Sequence, residues 1–446
     1  MIWFRRDLRL ADHPALLAAC AAADDGVVPL FVLDPTLVGR AGPARLAWMA
    51  RSLRSLDESL GGRLTLRTGD PVEVVPAVAR ECEATSVHVS ADFGPYGAER
   101  DAAVAEALAG VGEEGVALEP LGSPYAVAPG RVVTGSGEGY KVFTPFLRAW
   151  VDHGWRRPVE APGPTQIWVD LGGDSLPETE PPEGMELPEV GEAAAHRRWQ
   201  EFLPRLADYP EHRDLPGVPG TSRLSPHLRW GEIHPRTLLA DLADLAADAD
   251  LREPAAKFRA ELGWREFHAD VLSRHPQATR EPLRGEYAAM RWDDPGPELD
   301  AWREGRTGFP IVDAGMRELR ASGTMHNRVR MIVASFLIKD LHLDWRLGAR
   351  HFMDYLVDGD VASNQLNWQW VAGSGSDAAP YFRVFNPTSQ GRKFDPSGEY
   401  VRRWVPELAE AEDPHQPVGV SGYPAPIVDH AAERTVALDR WQEIRR

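Results

Sequence analysis

Between Met1 and Gly110 the chain switches repeatedly between two hydrophobic periods. MIWF, VVPLFVLDP, LTLRTGD and SVHVSADF are short apolar runs of strand length. DHPALLAACAA, PARLAWMARSLRSLDESL, PVEVVPAVARECE and AERDAAVAEALAG, which alternate with them, carry helical spacing. Strands separated by whole helices do not form hairpins. Each helix carries the chain back to the same end of the sheet, so the sheet is parallel and covered on both faces. Residues 1–130 are therefore expected to form a doubly wound α/β domain. In such domains ligands bind outside the carboxyl ends of the strands.

The alternation then stops. From Trp155 to Glu192 the composition turns to Pro, Gly and acids, with seven prolines, and 131–192 reads as a surface connector. Beyond 193 the segments AKFRAELGWREFHADVLSRH, MHNRVRMIVASFLIKDL and DWRLGARHFMDYLVDGD all have helical period. Residues 193–446 are expected to form a second, mainly α-helical domain. No run reaches the length of a membrane span, and the charged start is unlike a signal peptide. With Cys20 and Cys82 as the only cysteines, no disulfide framework is implied and a cytoplasmic location is expected; a monomer is expected as well. No HExxH or CxxC motif points to a metal. The net charge of −18 argues, as an average, against a polyanionic partner, although a local basic face is compatible with it. GSGEGY at 135–140 does not follow a strand and open a helix, so it reads as a surface loop.

Several stretches concentrate chemistry. GTSRLSPH, Gly220 to His227, is either a phosphate-cradling turn or a Ser/Thr helix cap. In ELGWREFH, Glu261, Trp264, Arg265 and His268 share one helical face. That face suits a pocket wall, with an interdomain contact as the alternative. In MHNRVRM the core stripe runs through Met325, Val329 and Ile332, leaving Asn327 and Met331 on the other side and Arg330 at its flank. Asn327 must be exposed or specifically hydrogen-bonded, because an unpaired buried amide is costly. DGDVASNQLNWQW, Asp358 to Trp370, packs acids, amides and indoles into one short stretch. PYFRVFNPTSQGRKFDPSGEYVRRW, Pro380 to Trp404, interleaves aromatics with five basic and two acidic residues. It suits single-stranded or distorted nucleic acid, or is a solvated loop.

Taken in order, WFRRDLRLADHPAL, YKVFTPF, GTSRLS, ELGWREF, TGFPIVDAGMREL, MHNRVRM, DGDVASNQLNWQW and FNPTSQGRKFDPSGEYVRRWVPEL resemble the photolyase/cryptochrome family of blue-light flavoproteins. The resemblance spans nearly the whole chain and is strongest to the class I branch that repairs cyclobutane pyrimidine dimers in DNA. It implies FAD in the helical domain. Tyr209 and the turn Thr221, Ser222, Arg223, Leu224 and Ser225 are implied to hold its phosphates and ribityl region. Asp358, Gly359 and Asp360 are implied to line the flavin and adenosine, with Asn364 facing flavin N5 and Arg330 paired with Asp358. Trp368, Trp345 and Trp292 are implied as an electron relay. The lesion pocket carried over is Glu261, Trp264, Asn327, Met331 and Trp370, with Arg213, Arg265, His268, Arg328 and Arg383 as further DNA contacts. Flipping of the damaged bases is already described for photolyases as a class. Reduced, light-excited flavin is implied to lend the lesion one electron, which returns after the ring splits. The alternative is a cryptochrome-type receptor that signals through a protein partner.

Within the family, Asn327 stands where the branch repairing (6-4) photoproducts typically has a second histidine, and Asn364 where plant-type cryptochromes usually carry aspartate. Asn327 therefore favours the cyclobutane lesion, and Asn364 favours a repair enzyme over a cryptochrome. Two features depart from the commoner pattern. Thr324 replaces a tryptophan, which implies a roomier or wetter pocket wall, and SNQLNW lacks the usual Gly-Gly. ADFGPYGAERD lacks the Asn–Glu pair of folate-binding relatives. The antenna expected is therefore 8-hydroxy-5-deazaflavin rather than methenyltetrahydrofolate, or none, with Asp92 and Arg51 as candidate contacts.

Overall fold

The computed structural model describes residues 1–377 and 382–445. Its sheet has five parallel strands: β1 (Ile2–Phe4), β2 (Pro29–Leu33), β3 (Thr65–Thr68), β4 (Ser86–Val89) and β5 (Ala117–Pro120), in the order β3-β2-β1-β4-β5. Ile2 faces Pro29 of β2 and His88 of β4, so β1 is central and the strand order reverses beside it. Such a reversal defines a doubly wound sheet. Central strands are buried on both faces, as their apolar runs require: Ile2, Phe4, Leu30, Val87 and Val89 are fully buried. The crossover helices Pro14–Ala22, Pro43–Ser59, Pro71–Glu81 and Pro95–Ala109 each carry proline in the first turn. The missing N–H costs nothing there, and the ring presets a helical φ.

Strand β5 has no counterpart among the expected strands. It is an edge strand, ALEP, mostly exposed. It has no apolar run and ends on a proline, which only an edge tolerates.

By contact density the chain divides into two compact units. The first comprises Met1–Pro181, Pro188–Pro204 and Ser222–Pro276. The second comprises Pro182–Leu187, Arg205–Thr221 and Gln277–Arg446. The first unit holds the sheet and the long helix Arg252–Arg274. The second is helical, and its core is built by Pro310–Ser322, Asn327–Lys339, Trp345–Tyr355 and Val361–Ala372. Gly315 allows the first two of these helices to approach closely, since a Cβ there would lie 2.4 Å from Val329 Cγ1. Among the described residues no helix is long and apolar enough to cross a membrane.

Candidate functional site

A recess lies within the second unit, lined by the helices that start at Asn327, Trp345 and Val361 and by the loop Asp358–Asp360. The loop ends at Asp360, the N-cap of Val361–Ala372, whose carboxylate accepts from Ser363 N at 2.9 Å. An Asp cap fixes where the helix begins, and so brings Asn364 and Trp368, one turn apart, to the wall of the recess. Ala334, Phe352, Leu356 and Val371 supply apolar lining.

Asp358 and Arg330 form the ion pair that the resemblance implied, Nη2 to Oδ2 at 2.8 Å. Arg330 Nε also donates to the Met325 carbonyl at 2.8 Å. The other Asp358 oxygen, Oδ1, is buried without a hydrogen-bond partner, a costly state that calls for a donor from a ligand. The Asn364 amide donates through Nδ2 to Ala349 O and to Gln365 Oε1, each at 3.0 Å. Its carbonyl oxygen is the atom left to meet a ligand. An apolar slot with two acceptors of this kind fits the FAD implied by the sequence, whose ring and sugar hydroxyls offer donors.

The three relay candidates all belong to the second unit. Trp368 is 2% exposed and meets Phe352 edge-on at 5.0 Å. Gly348 lies beneath it, where a Cβ would sit 2.1 Å from Trp368 Cη2. Trp345 is buried at the first position of its helix, and Trp292 is half-buried against the same core.

Of the lesion-pocket candidates, Asn327 and Met331 line the recess, with Asn327 exposed. His326 caps their helix, its Nδ1 accepting from Arg328 N at 3.2 Å. Burial lowers this imidazole to about 4, so the cap is neutral at physiological pH. Arg328 pairs with Asp214 at 3.0 Å and lies over the Phe394 ring. The Arg213 guanidinium lies over the ring of Tyr209, a buried residue that starts a short helix. Trp370 is half-buried and donates to Asp377 O at 3.2 Å. Arg383 is exposed, and its carbonyl accepts from Lys339 Nζ. Pro380 and Tyr381 of the aromatic-basic stretch lie outside the described residues. Thr324 does not line the recess; its hydroxyl pairs with that of Ser322 at 2.9 Å.

Glu261, Trp264, Arg265 and His268 lie in the first unit, on the helix Arg252–Arg274. Glu261 is half-buried. Trp264 stacks on Phe143 with ring centroids 3.6 Å apart. Arg265 donates to Pro124 O at 2.9 Å and Leu228 O at 3.1 Å, and its guanidinium lies over Tyr125. His268 is buried and contacts the Trp264 ring. The GTSRLS turn enters the helix Ser225–Trp230 through Leu224, and no side chain caps that helix. Arg223 holds a left-handed φ of 52°, an uncommon conformation for a side-chain-bearing residue that clusters at ligand sites.

Four residues were not singled out by the sequence. Trp302 meets Trp368 edge-on at 6.3 Å. Gln365 holds the Asn364 amide. Glu266, on the Trp264 helix, accepts from Ala126 N, Val127 N and Trp150 Nε1, yet burial still pushes its carboxyl up to about 7. Burial lowers the Lys339 ammonium to about 7. A charged type inside a helix's apolar stripe is the only sequence signal for the last two. Among the described residues no cluster of three or more His, Cys, Asp or Glu side chains could hold a metal ion.

Residues 1–164 match the DNA photolyase family, and residues 258–443 match the FAD binding domain of DNA photolyase. The chain is 44% identical to a deoxyribodipyrimidine photo-lyase of Streptomyces griseus, with 97% of each chain covered. It is similar to the crystal structure of a bacterial class III photolyase from Agrobacterium tumefaciens, with a TM-score of 0.90 and 38% identity over 100% of this chain and 97% of that one. An archaeal photolyase from Sulfolobus tokodaii, solved with two FAD molecules, is similar at a TM-score of 0.82 and 31% identity, covering 99% of each chain.

Proposed function

The chain belongs to the DNA photolyase family, and on that premise we propose that it repairs cyclobutane pyrimidine dimers in DNA by light-driven electron transfer. One observation carries the reading: the recess in the second unit offers the bare Asp358 Oδ1 and the Asn364 carbonyl beside Trp368. The cofactor is FAD, as the matched FAD binding domain implies; Asp358, Gly359, Asp360 and Asn364 would hold it, and when bound and reduced it would supply light-driven one-electron donation to the dimer.

The chain's own residues bind and orient. Asp358, Gly359 and Asp360 grip the cofactor. Arg330 keeps Asp358 in place, and Asn364 presents an acceptor to the flavin edge. Tyr209 and the turn Thr221–Ser225 hold the phosphates and ribityl chain. Left-handed backbone at Arg223 and the uncapped N–H groups that follow are supporting features. Trp368, Trp345 and Trp292 pass electrons inward when the cofactor arrives oxidised. The damaged bases leave the stack at a cost of a few kcal/mol, reduced because the lesion already weakens stacking. Trp264 and Trp370 pack on them, and Glu261 bonds their polar edge. Asn327 sets the preference for the cyclobutane lesion, Met331 completes the pocket, and His268 is a further DNA contact. Arg213, Arg265, Arg328 and Arg383 position phosphates without reading sequence. Of these, Arg383 is the exposed one, while Arg265 and Arg328 are already tied to protein partners.

The antenna proposed is 8-hydroxy-5-deazaflavin. Asp92 is supported as a contact by its place just after β4, beside the strand-order reversal where doubly wound sheets bind ligands. Arg51, a more exposed side chain near Glu180, is the weaker contact. Mass spectrometry of natively purified protein tests this, and a bound folate would overturn it. The protein is proposed to act as a cytoplasmic monomer. The cryptochrome alternative is not favoured, since the relatives described above are photolyases.

The test of function is illumination of purified, FAD-loaded, reduced protein with oligothymidylate containing dimers. Loss of dimers under blue light and none in the dark is expected, with (6-4) photoproducts untouched. No reversal with reduced FAD bound would refute the proposal.

A further inference from the structure

We propose that Gln365 is a positioning residue that sets which end of the Asn364 amide faces the cofactor. A side-chain amide can turn over about its last torsion, which exchanges an acceptor for a donor with little change of shape. In the second unit two backbone carbonyls remove that freedom. Gln365 Nε2 donates to Thr279 O at 2.8 Å, which leaves Gln365 Oε1 as an acceptor. That oxygen takes a hydrogen from Asn364 Nδ2 at 3.0 Å, and the same Nδ2 donates to Ala349 O at 3.0 Å. Carbonyls only accept, so the chain from Thr279 O to Ala349 O is satisfied in one polarity alone. Turning Asn364 over would set its oxygen against two acceptors inside a residue that is 8% exposed.

The far end of this relay is itself anchored. One turn along the same helix, the fully buried Gln369 donates to Ala278 O at 2.8 Å and Glu281 O at 2.9 Å. Its oxygen accepts from Leu283 N at 2.8 Å. The segment that carries the Thr279 carbonyl is therefore pinned on both sides by one amide.

The chemical consequence follows from flavin N5, and it rests on the reading above that Asn364 is its neighbour. Reduced flavin carries hydrogen at N5 and donates from it; oxidised flavin has a lone pair there and accepts. An amide held oxygen-first therefore favours the reduced cofactor, the form that repair requires. Without Gln365 the amide samples both faces and the preference weakens.

The test is the two-electron midpoint potential of bound FAD, titrated in the dark, in wild type, Gln365→Leu, Asn364→Ala and the double variant. Loss of one hydrogen bond to the amide is expected to weaken the preference for reduced FAD roughly 3- to 10-fold. That corresponds to a fall of about 14–30 mV for a two-electron couple. Because Gln365 acts through Asn364, Gln365→Leu is expected to add nothing in the Asn364→Ala background. A Gln365→Leu protein with an unchanged potential, while Asn364→Ala shifts it, overturns the role of Gln365 alone. An equal shift in both backgrounds also overturns it, because the effect is then direct. An unchanged potential in Asn364→Ala overturns the placement of Asn364 itself, and the inference with it. Gln365→Ala serves in place of Gln365→Leu if leucine prevents folding.

Discussion

Replacing Arg330 by Met strips the recess of the cation that neutralises Asp358. Two donations end together, to Asp358 Oδ2 and to Met325 O, both at 2.8 Å. Removing one partner of a fully buried ion pair costs about 3–5 kcal/mol, since a desolvated charge is left alone. Here the Asp358 side chain is 4% exposed and that of Arg330 26%, so water screens one side of the pair. A loss of about 2–3 kcal/mol is therefore expected in the FAD-free protein. Met fills much of the volume of the arginine stem, so packing contributes little to that figure. Asp358 Oδ1 already lacks a partner, and after the change neither carboxylate oxygen is satisfied by Arg330. The Arg330→Met/Asp358→Asn double variant removes the stranded charge and is expected to regain about half the loss or more. Urea unfolding of FAD-free protein gives the stability, and fluorescence of released FAD gives cofactor retention, which is expected to fall in the single variant. A single variant within about 0.5 kcal/mol of wild type, the range of ordinary surface changes, would refute the reasoning. So would a double variant no better than the single.

Other outcomes follow from the same geometry. Gly348→Ala places a methyl 2.1 Å from Trp368 Cη2 and 2.6 Å from Leu337 Cδ2. It is expected to destabilise the protein by about 1–3 kcal/mol and to slow photoreduction, both readable on purified protein; an unchanged rate would separate Trp368 placement from electron entry. Trp368→Phe is expected to lose most light-driven reduction of oxidised FAD while chemically reduced protein still repairs dimers, and loss of both activities would point to a structural role instead. Glu266, raised from 4.5 to about 7, holds a proton in the folded protein over a range where the unfolded chain has lost it. Its stabilising contribution is thus full below pH 4.5 and declines as pH rises to 7, by up to about 3 kcal/mol. Urea midpoints at pH 5 and 8 should show a flatter profile in Glu266→Gln, and an unaltered slope would count against this assignment.

The doubly wound sheet is legible because buried parallel strands need continuous apolar runs and their crossovers need amphipathic helices. β5 escapes because an edge strand with one polar flank needs neither. Asp358, Asn364 and Trp368 are legible only through the family resemblance. The Asp360 cap and the four-residue interval between Asn364 and Trp368 explain why the structure brings them to one wall. The stack of Trp264 on Phe143, and the grip of Arg265 on the carbonyls of Pro124 and Leu228, are not legible. Those partners are remote in sequence, and only the packed first unit brings them to the helix. The two readings of GTSRLS, phosphate turn or hydroxyl cap, are separable only in three dimensions, where Leu224 takes the cap position without a side-chain bond. Gln365 is invisible for a further reason. Its importance lies in the direction of two amides, which composition and periodicity do not encode.

The most direct single measurement is an action spectrum: the initial rate of thymine-dimer loss against wavelength, on purified reduced protein with one FAD per chain. The expected rate tracks the absorption of the bound chromophores and vanishes in the dark. Dimer loss that proceeds without light, or that ignores the chromophore spectrum, would contradict electron transfer from a cofactor held beside Asp358 and Asn364.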